Sequence, residues 1–176
     1  MTTEVTPSVY LTAAFYKFVS LPDFASKRAP LLAFCEAHNV KGLILLAEEG
    51  INSTIAGAPA DVHAVLAYLR SDPRLADLEH KESFASKAPF HRMKVRLKKE
   101  IVTMGVEGLS PTKRVGQYVK PEDWNALITS PDVVVIDTRN DYEVEIGTFK
   151  GAVDPDIQSF SQLTQWVKDA KELAEK

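Results

Sequence analysis

At 176 residues, 45% hydrophobic and 26% charged, the chain is long enough for one large or two small domains and has the composition of an ordinary globular protein. It has no apolar run of the roughly 18 residues that a membrane helix needs and no signal-peptide pattern, so a cytoplasmic protein with no membrane partner is expected. A single cysteine excludes an internal disulfide, no Cys/His cluster has zinc-ligand spacing, and a net charge of -3 argues against a general nucleic-acid binder.

Residues 9–19 are rich in β-branched and aromatic side chains and read as a strand. Ser20 to Asp23 has the S-x-x-D form of a helix start, but Pro30 places the regular helix from about residue 30 to His38, with Phe24, Leu31 and Cys35 on its inner stripe. Residues 41–47 and 51–56 form a hairpin through Glu48, Glu49 and Gly50. A second helix starts at Asp61, carries Val62, Val65, Leu66 and Leu69 at helical spacing, and ends at Pro73. A strand around residues 81–84 completes a β-α-β-β-α-β order. That is the split βαβ, ferredoxin-like pattern of an α+β domain, expected over residues 1–90.

Residues 91–115 read as a basic strand and linker between domains. Met93 to Lys98 alternates apolar and basic, as a half-exposed strand does. From residue 92 to 120 there are eight basic and two acidic residues, a local charge of +6; from 121 to 176 there are five basic and twelve acidic, a local charge of -7. Such segregation points to a polyanionic partner for the basic segment. The candidate phosphate contacts are Arg92, Lys94, Arg96, Lys98, Lys99, Lys113 and Arg114. A solvated sheet face is the competing reading of the same pattern.

Residues 116–176 form the second part. Tyr118 and Val119 suggest a short strand, and Pro121 suits the first turn of a helix carrying Trp124 and Leu127. The β-branched run 133–136 reads as a strand covered on both faces, with Asp137 and Arg139 at its carboxyl end, where ligands sit in open α/β sheets. Asn140 and Glu143 have capping-box spacing, Gly147 can close that helix, and Phe160, Leu163, Val167 and Ala170 follow as a last stripe with Ser159 as cap.

Four stretches carry a more specific resemblance. Leu45 to Gly57 (LLAEEGINSTIAG), with Pro89 to Val95, Lys98 to Val102 and Asp137 to Glu143, resembles the bacterial rhodanese-domain tRNA uridine hydroxylases over almost the whole chain. The resemblance implies an acylphosphatase-like first domain and, over residues 116–176, the first half of a rhodanese-like α/β domain. It further implies oxygen-dependent hydroxylation of the wobble uridine of certain tRNAs to 5-hydroxyuridine, with tRNA as partner and molecular oxygen as co-substrate. It names no cofactor. Ser53 stands where the family usually has glycine, a difference expected to touch turn geometry. No residue matches the family's cysteine loop, so no catalytic residue is assigned and the chain alone is expected not to hydroxylate tRNA. An incomplete second domain would also favour self-association through its open sheet edge.

Several residues have competing roles. Cys35, on a stripe with leucine and phenylalanine, reads as a buried inert thiol rather than a nucleophile. Asp137 and Arg139 either support the active-site loop of a complete domain or bond to backbone and to each other. Glu48 and Glu49 read as solvated turn residues. His38, His63, His80 and His91 show no i, i+4 metal pair and no acid-base partner; only His91 adjoins the basic strand. Two functional alternatives remain, a rhodanese-type sulfurtransferase and a non-catalytic RNA-binding module.

Overall fold

The computed structural model describes residues 9–103 and 116–170 and divides into two compact units, Met1–Val102 and Thr103–Lys176. The first unit is a five-stranded sheet with two helices. Its elements are β1 (Tyr10–Phe18), α1 (Phe24–Ala37), β2 (Lys41–Ala47), β3 (Gly50–Gly57), α2 (Pro59–Arg70), a 3-10 turn at Pro73–Leu75, β4 (Lys81–Ala85) and β5 (Met93–Leu97). The strand order is β4-β1-β3-β2-β5. The first four strands pair antiparallel, as the βαββαβ order requires of a ferredoxin-like sheet.

Strict alternation builds the core. Along β1, Leu11, Ala13 and Phe15 are buried while Thr12, Ala14 and Tyr16 face outward; the β2 residues Ile44 and Leu46 and the β3 residues Ile51 and Ile55 lie on the buried side. That side packs against Leu31 and Cys35 of α1 and Val62, Val65, Leu66 and Leu69 of α2. Ser53, also buried, lies in the middle of β3 rather than in the turn, and its hydroxyl donates to the Leu43 carbonyl at 3.0 Å. The difference from glycine therefore concerns a satisfied polar group between two strands.

Three local expectations are corrected. Helix α1 begins at Phe24 and contains Pro30, which is solvent-exposed, so the hydrogen bond that proline removes is lost on the wet side of the helix. Helix α2 has Ala58 as its cap and Pro59 in its first turn, with Asp61 inside that turn, where a carboxylate favours the helix dipole. Met93–Leu97, expected in a segment between domains, is the fifth strand of the first sheet and pairs parallel with β2. Periodicity alone does not show which neighbour a strand will find.

The second unit is more sparsely built. It holds α3 (Pro121–Ile128), α4 (Asp141–Ile146), a 3-10 turn at Phe160–Gln162 and α5 (Leu163–Asp169). The capping boxes at Asn140/Glu143 and Ser159/Gln162 are both present. Tyr118 and Val119 form no strand, and the run 133–136 forms no regular strand either: Ile136 makes one isolated parallel bridge, to Val153. Val153 N–H donates to the Val135 carbonyl at 2.8 Å and Asp137 N–H to the Val153 carbonyl at 2.9 Å. Among the described residues of this unit Ile157 is the buried hydrophobic, while Tyr118, Ile146 and Val167 are exposed. The final apolar stripe is thus not buried there.

Gly42 and Gly50 hold the hairpin strands close to their neighbours, with φ of +139° and +144°. A Cβ on Gly42 would lie 2.2 Å from the Thr54 carbonyl oxygen, whereas one on Gly57 would come no nearer than 3.3 Å, to the Val40 side chain, with Val62 at 3.5 Å. Gly42→Ala should therefore lower stability by at least about 1 kcal/mol and by more than Gly57→Ala, as measured by chemical denaturation. Equal effects would show that the β2 backbone shifts without penalty.

Candidate functional site: a basic sheet edge

Strand β5 is the outermost strand on its side of the sheet, and its register fixes the direction of each side chain. Val95 pairs with Ile44 and is buried against the core beside α1. Lys94 and Arg96 pair with Leu43 and Leu45 and so lie on the opposite face, away from the helices. Arg92, Arg96, Lys98 and Lys99 are exposed and Lys94 is half-buried. Among the described residues none of these five cations forms an ion pair with a carboxylate. The structure thus brings five of the seven candidate phosphate contacts onto one short strand and its flanks. Lys113 and Arg114 lie outside the described residues.

Neighbouring elements hold this edge in place. Arg28 of α1 donates from Nε to the Val95 carbonyl at 3.0 Å, Gly42 N–H donates to the Arg92 carbonyl at 3.1 Å, and Lys98 N–H donates to the Leu46 carbonyl at 2.9 Å. Beyond the strand, Ile101 is buried and doubly anchored: its N–H donates to Glu49 Oε1 at 2.6 Å, and its carbonyl accepts from Asn52 Nδ2 at 2.9 Å. Glu49 is therefore a clamp for the chain leaving β5 rather than a solvated turn residue. Sequence reading missed this because the partner lies 52 residues away.

On the helix side of the unit, one cluster of charges is internally neutralised. Arg74 forms a two-pronged pair with Asp23 at 2.7 and 3.0 Å and bonds Asp72 at 2.7 and 2.9 Å, while Lys27 reaches Asp72 at 2.6 Å. The Arg74 guanidinium lowers the Asp23 carboxyl to about 2 and holds Asp72 below the usual carboxylate range, with Lys27 assisting at both. This cluster rims a cavity of about 590 Å³ floored by Leu21, Leu31, Leu69 and Leu75. Its charged groups are engaged with one another, so the cavity offers a ligand little unsatisfied charge.

The histidines are better connected than their spacing suggests. His63 and His80 converge on Glu82 Oε1 at 3.0 and 2.8 Å, a partner that sequence reading did not supply, and their ligand-type atoms lie within 4.8 Å of one another. Arg70 Nη2 lies 2.9 Å from His80 Nδ1. Arginine can only donate, so Nδ1 accepts and the proton sits on Nε2, facing Glu82. In that tautomer Nε2 has no lone pair for a cation, and a metal would require Arg70 to leave. His38 stacks on Phe34 with ring centroids 4.3 Å apart, and His91 is exposed.

In the second unit, Asp137 is nearly buried and receives Arg139 Nε at 2.9 Å, Arg139 Nη2 at 2.6 Å and Thr148 Oγ1 at 2.7 Å. Arg139 Nη2 also donates to the Gly147 carbonyl at 2.6 Å. The Arg139 guanidinium, with the Thr148 hydroxyl, keeps the Asp137 carboxyl well below the usual range. The pair ties the segment after Ile136 to the residues that follow α4. Cys35 is fully buried, and burial pushes its thiol up to about 12.

Residues 10–101 match the UPF0176 acylphosphatase-like domain family. The chain is 73% identical over 164 residues to a protein of Albidiferax ferrireducens named tRNA uridine(34) hydroxylase, covering 93% of this chain and 51% of that protein. It is 61% identical over 169 residues to one of the same name from Acaryochloris marina, covering 96% and 54%, and 64% identical over 159 residues to one from Rhizobium etli, covering 90% and 52%. The chain spans about half the length of these curated relatives.

Two measurements check the local chemistry. A carboxylate with a depressed folded pKa stabilises the fold above its unfolded value, and that contribution is lost as pH falls through the folded value. For Asp23 the window runs from its ordinary 3.8 down to about 2, so the chain should lose stability across it, and Asp72→Asn should both destabilise at pH 7 and flatten that acid limb in a pH series of urea melts. With its thiol near 12, Cys35 has a thiolate fraction of about 10⁻⁴ at pH 8 and should resist iodoacetamide until the chain is unfolded; rapid labelling under native conditions would contradict the burial.

Proposed function

This chain belongs to the UPF0176 family through its acylphosphatase-like domain, and we propose from that premise that it is the amino-terminal part of a tRNA-modifying oxidoreductase. The whole protein would hydroxylate the wobble uridine of its tRNAs to 5-hydroxyuridine, with molecular oxygen as co-substrate, in the cytoplasm. High identity to proteins named tRNA uridine(34) hydroxylase supports this reading. The share of the work that this chain's own residues suit is holding the tRNA.

The observation that carries the proposal is the basic edge. Arg92, Lys94, Arg96, Lys98 and Lys99 are gathered on an edge strand and its flanks, without carboxylate partners among the described residues, in a chain of net negative charge. Cations arranged along a backbone ladder suit the phosphates of a nucleic-acid strand, whose contacts position the ligand without reading its sequence. Lys113 and Arg114 extend the same run in sequence.

In the second part, residues 116–176 are proposed to be the first half of a rhodanese-like domain, with Asp137 and Arg139 as supports for the loop at the end of its first strand. Their bidentate pair and the Thr148 bond suit a structural brace. The apolar surface of this part, with Tyr118 and Ile146 both exposed, is a route for self-association. A sulfurtransferase reading draws no support from Cys35, because a buried thiol near 12 is a poor nucleophile.

The test is a salt titration of tRNA binding. Association of a cationic surface with RNA weakens as salt rises, with a slope of about 0.7 to 0.9 per phosphate contact depending on strandedness. The double change Lys94→Glu and Arg96→Glu should weaken binding and flatten the log-log slope by about two contacts' worth. An unchanged titration would place the RNA elsewhere on the molecule.

A further inference from the structure

The helices of the first unit cover one face of the sheet, and the other face shows a regular distribution of chemistry. By strand register its outward positions include Lys81 on β4, Tyr16 on β1, Leu43 and Lys41 on β2, and Lys94 and Arg96 on β5. No strand position on this face carries Asp or Glu; Glu82, the acidic residue within the five strands, lies on the helix side, where His63 and His80 hold it. The strand positions of this face are thus cationic or neutral. Tyr16 is 51% exposed and Leu43 38%, so a ring and an aliphatic side chain are accessible on this face, with Thr54 of β3 between their strands, while Asn52 beside Tyr16 is taken up by the Ile101 carbonyl. Tyr16 rests edge-on against Phe18, with ring centroids 6.2 Å apart, which helps to fix the ring's orientation.

Four inter-strand spacings set β4 and β5 about 19 Å apart. Cations therefore stand at both rims, Lys81 at one and Lys94 with Arg96 at the other, with an aromatic and an aliphatic side chain between them. A duplex needs only the charges, since its bases are stacked on one another. An unpaired strand also presents base faces, which aromatic side chains can stack.

We propose that this open face, and not the β5 edge alone, is the RNA platform: an unpaired strand crosses the sheet between β5 and β4, with its phosphates on Lys94, Arg96 and Lys81 and one base on Tyr16. The inference rests on the RNA-binding reading of the β5 edge and extends it to residues that reading does not use. Charge complementarity selects the occupant. An acidic protein segment would also find the cations, but it has no systematic need for an exposed ring between two cationic rims.

The experiment uses the 176-residue chain and two probes, a ten-nucleotide pyrimidine-rich oligoribonucleotide and a blunt RNA duplex of equal charge. Tyr16→Ala should weaken oligonucleotide binding by roughly 5- to 160-fold, the range for loss of one base stack, and leave duplex binding unchanged. Tyr16→Phe should retain the parental affinity. Lys81→Glu should weaken oligonucleotide binding and lower the salt slope by about 0.7. With 4-thiouridine in the oligonucleotide, photocrosslinks should fall on Tyr16 or Leu43, which keeps the test decisive if a variant misfolds. If Lys94→Glu with Arg96→Glu weakens binding while Tyr16→Ala and Lys81→Glu do not, and crosslinks stay within residues 92–99, the platform is overturned and the edge reading survives. If the parental chain binds neither probe nor tRNA, the RNA-binding reading fails and the platform with it.

Discussion

The parallel register of β5 against β2 is the constraint on which the first unit's surface chemistry depends. Val95 opposite Ile44 commits one parity of the strand to the core, and the other parity must then present Lys94 and Arg96 to solvent. A slip of one residue would turn both cations toward α1 and leave Val95 in water. Burying even one unpaired cation costs several kcal/mol, so the apolar residue holds the charged ones on the surface. Arg28 reinforces the register by occupying the Val95 carbonyl at an edge that would otherwise invite another strand.

The same unit treats charge in two different ways. On the helix side, Arg74, Lys27, Asp23 and Asp72 form a closed cluster, and Glu82 is held between two histidines. Lys17 likewise pairs with Asp77. On the open face and along β5, the cations have no such partners among the described residues. Exposed ion pairs add little stability individually, but a neutralised group is also removed from the field that an approaching polyanion meets. Pairing on one side and its absence on the other therefore concentrate positive potential on the sheet's open face, although the whole chain is acidic.

What the sequence made legible follows from the range of the interactions involved. Alternation, helical spacing and capping boxes are local, and they located the strands Tyr10–Phe18, Lys41–Ala47 and Lys81–Ala85 and the cap at Asn140 to within a residue or so. The hairpin turn was legible because Gly50 sits beside two polar residues. The membership of β5 in the first sheet was not, because parallel pairing with β2 joins segments about fifty residues apart and leaves no turn signature. For the same reason Glu49 read as a free turn carboxylate and Glu82 was not connected with His63 or His80: each partnership is made by the fold. Pro30 misled in the opposite sense, since a local rule placed the helix start too late for a helix held by its buried Leu31 and Cys35.

The second unit shows how far local order carries where Ile157 is the buried hydrophobic among the described residues. Its capping boxes and the Asp137–Arg139–Thr148 brace are formed, so the chain is correctly folded at short range around α4. The β-branched run before Asp137 nevertheless contributes a single bridge, to Val153, and the Trp124 indole N–H is buried with no acceptor among the described residues. Trp124 does pack near Phe149, with centroids 5.0 Å apart, yet Phe149 itself is half exposed. Residues with high strand propensity extend only when neighbouring strands accept their backbone groups and cover their side chains. Among the described residues Ile136 has such a neighbour on one side, and there only at one position. The brace at Asp137 is thus preorganised around a strand that is itself barely formed, the reverse of the first unit, where the sheet is complete and its cationic side chains project from a rigid frame.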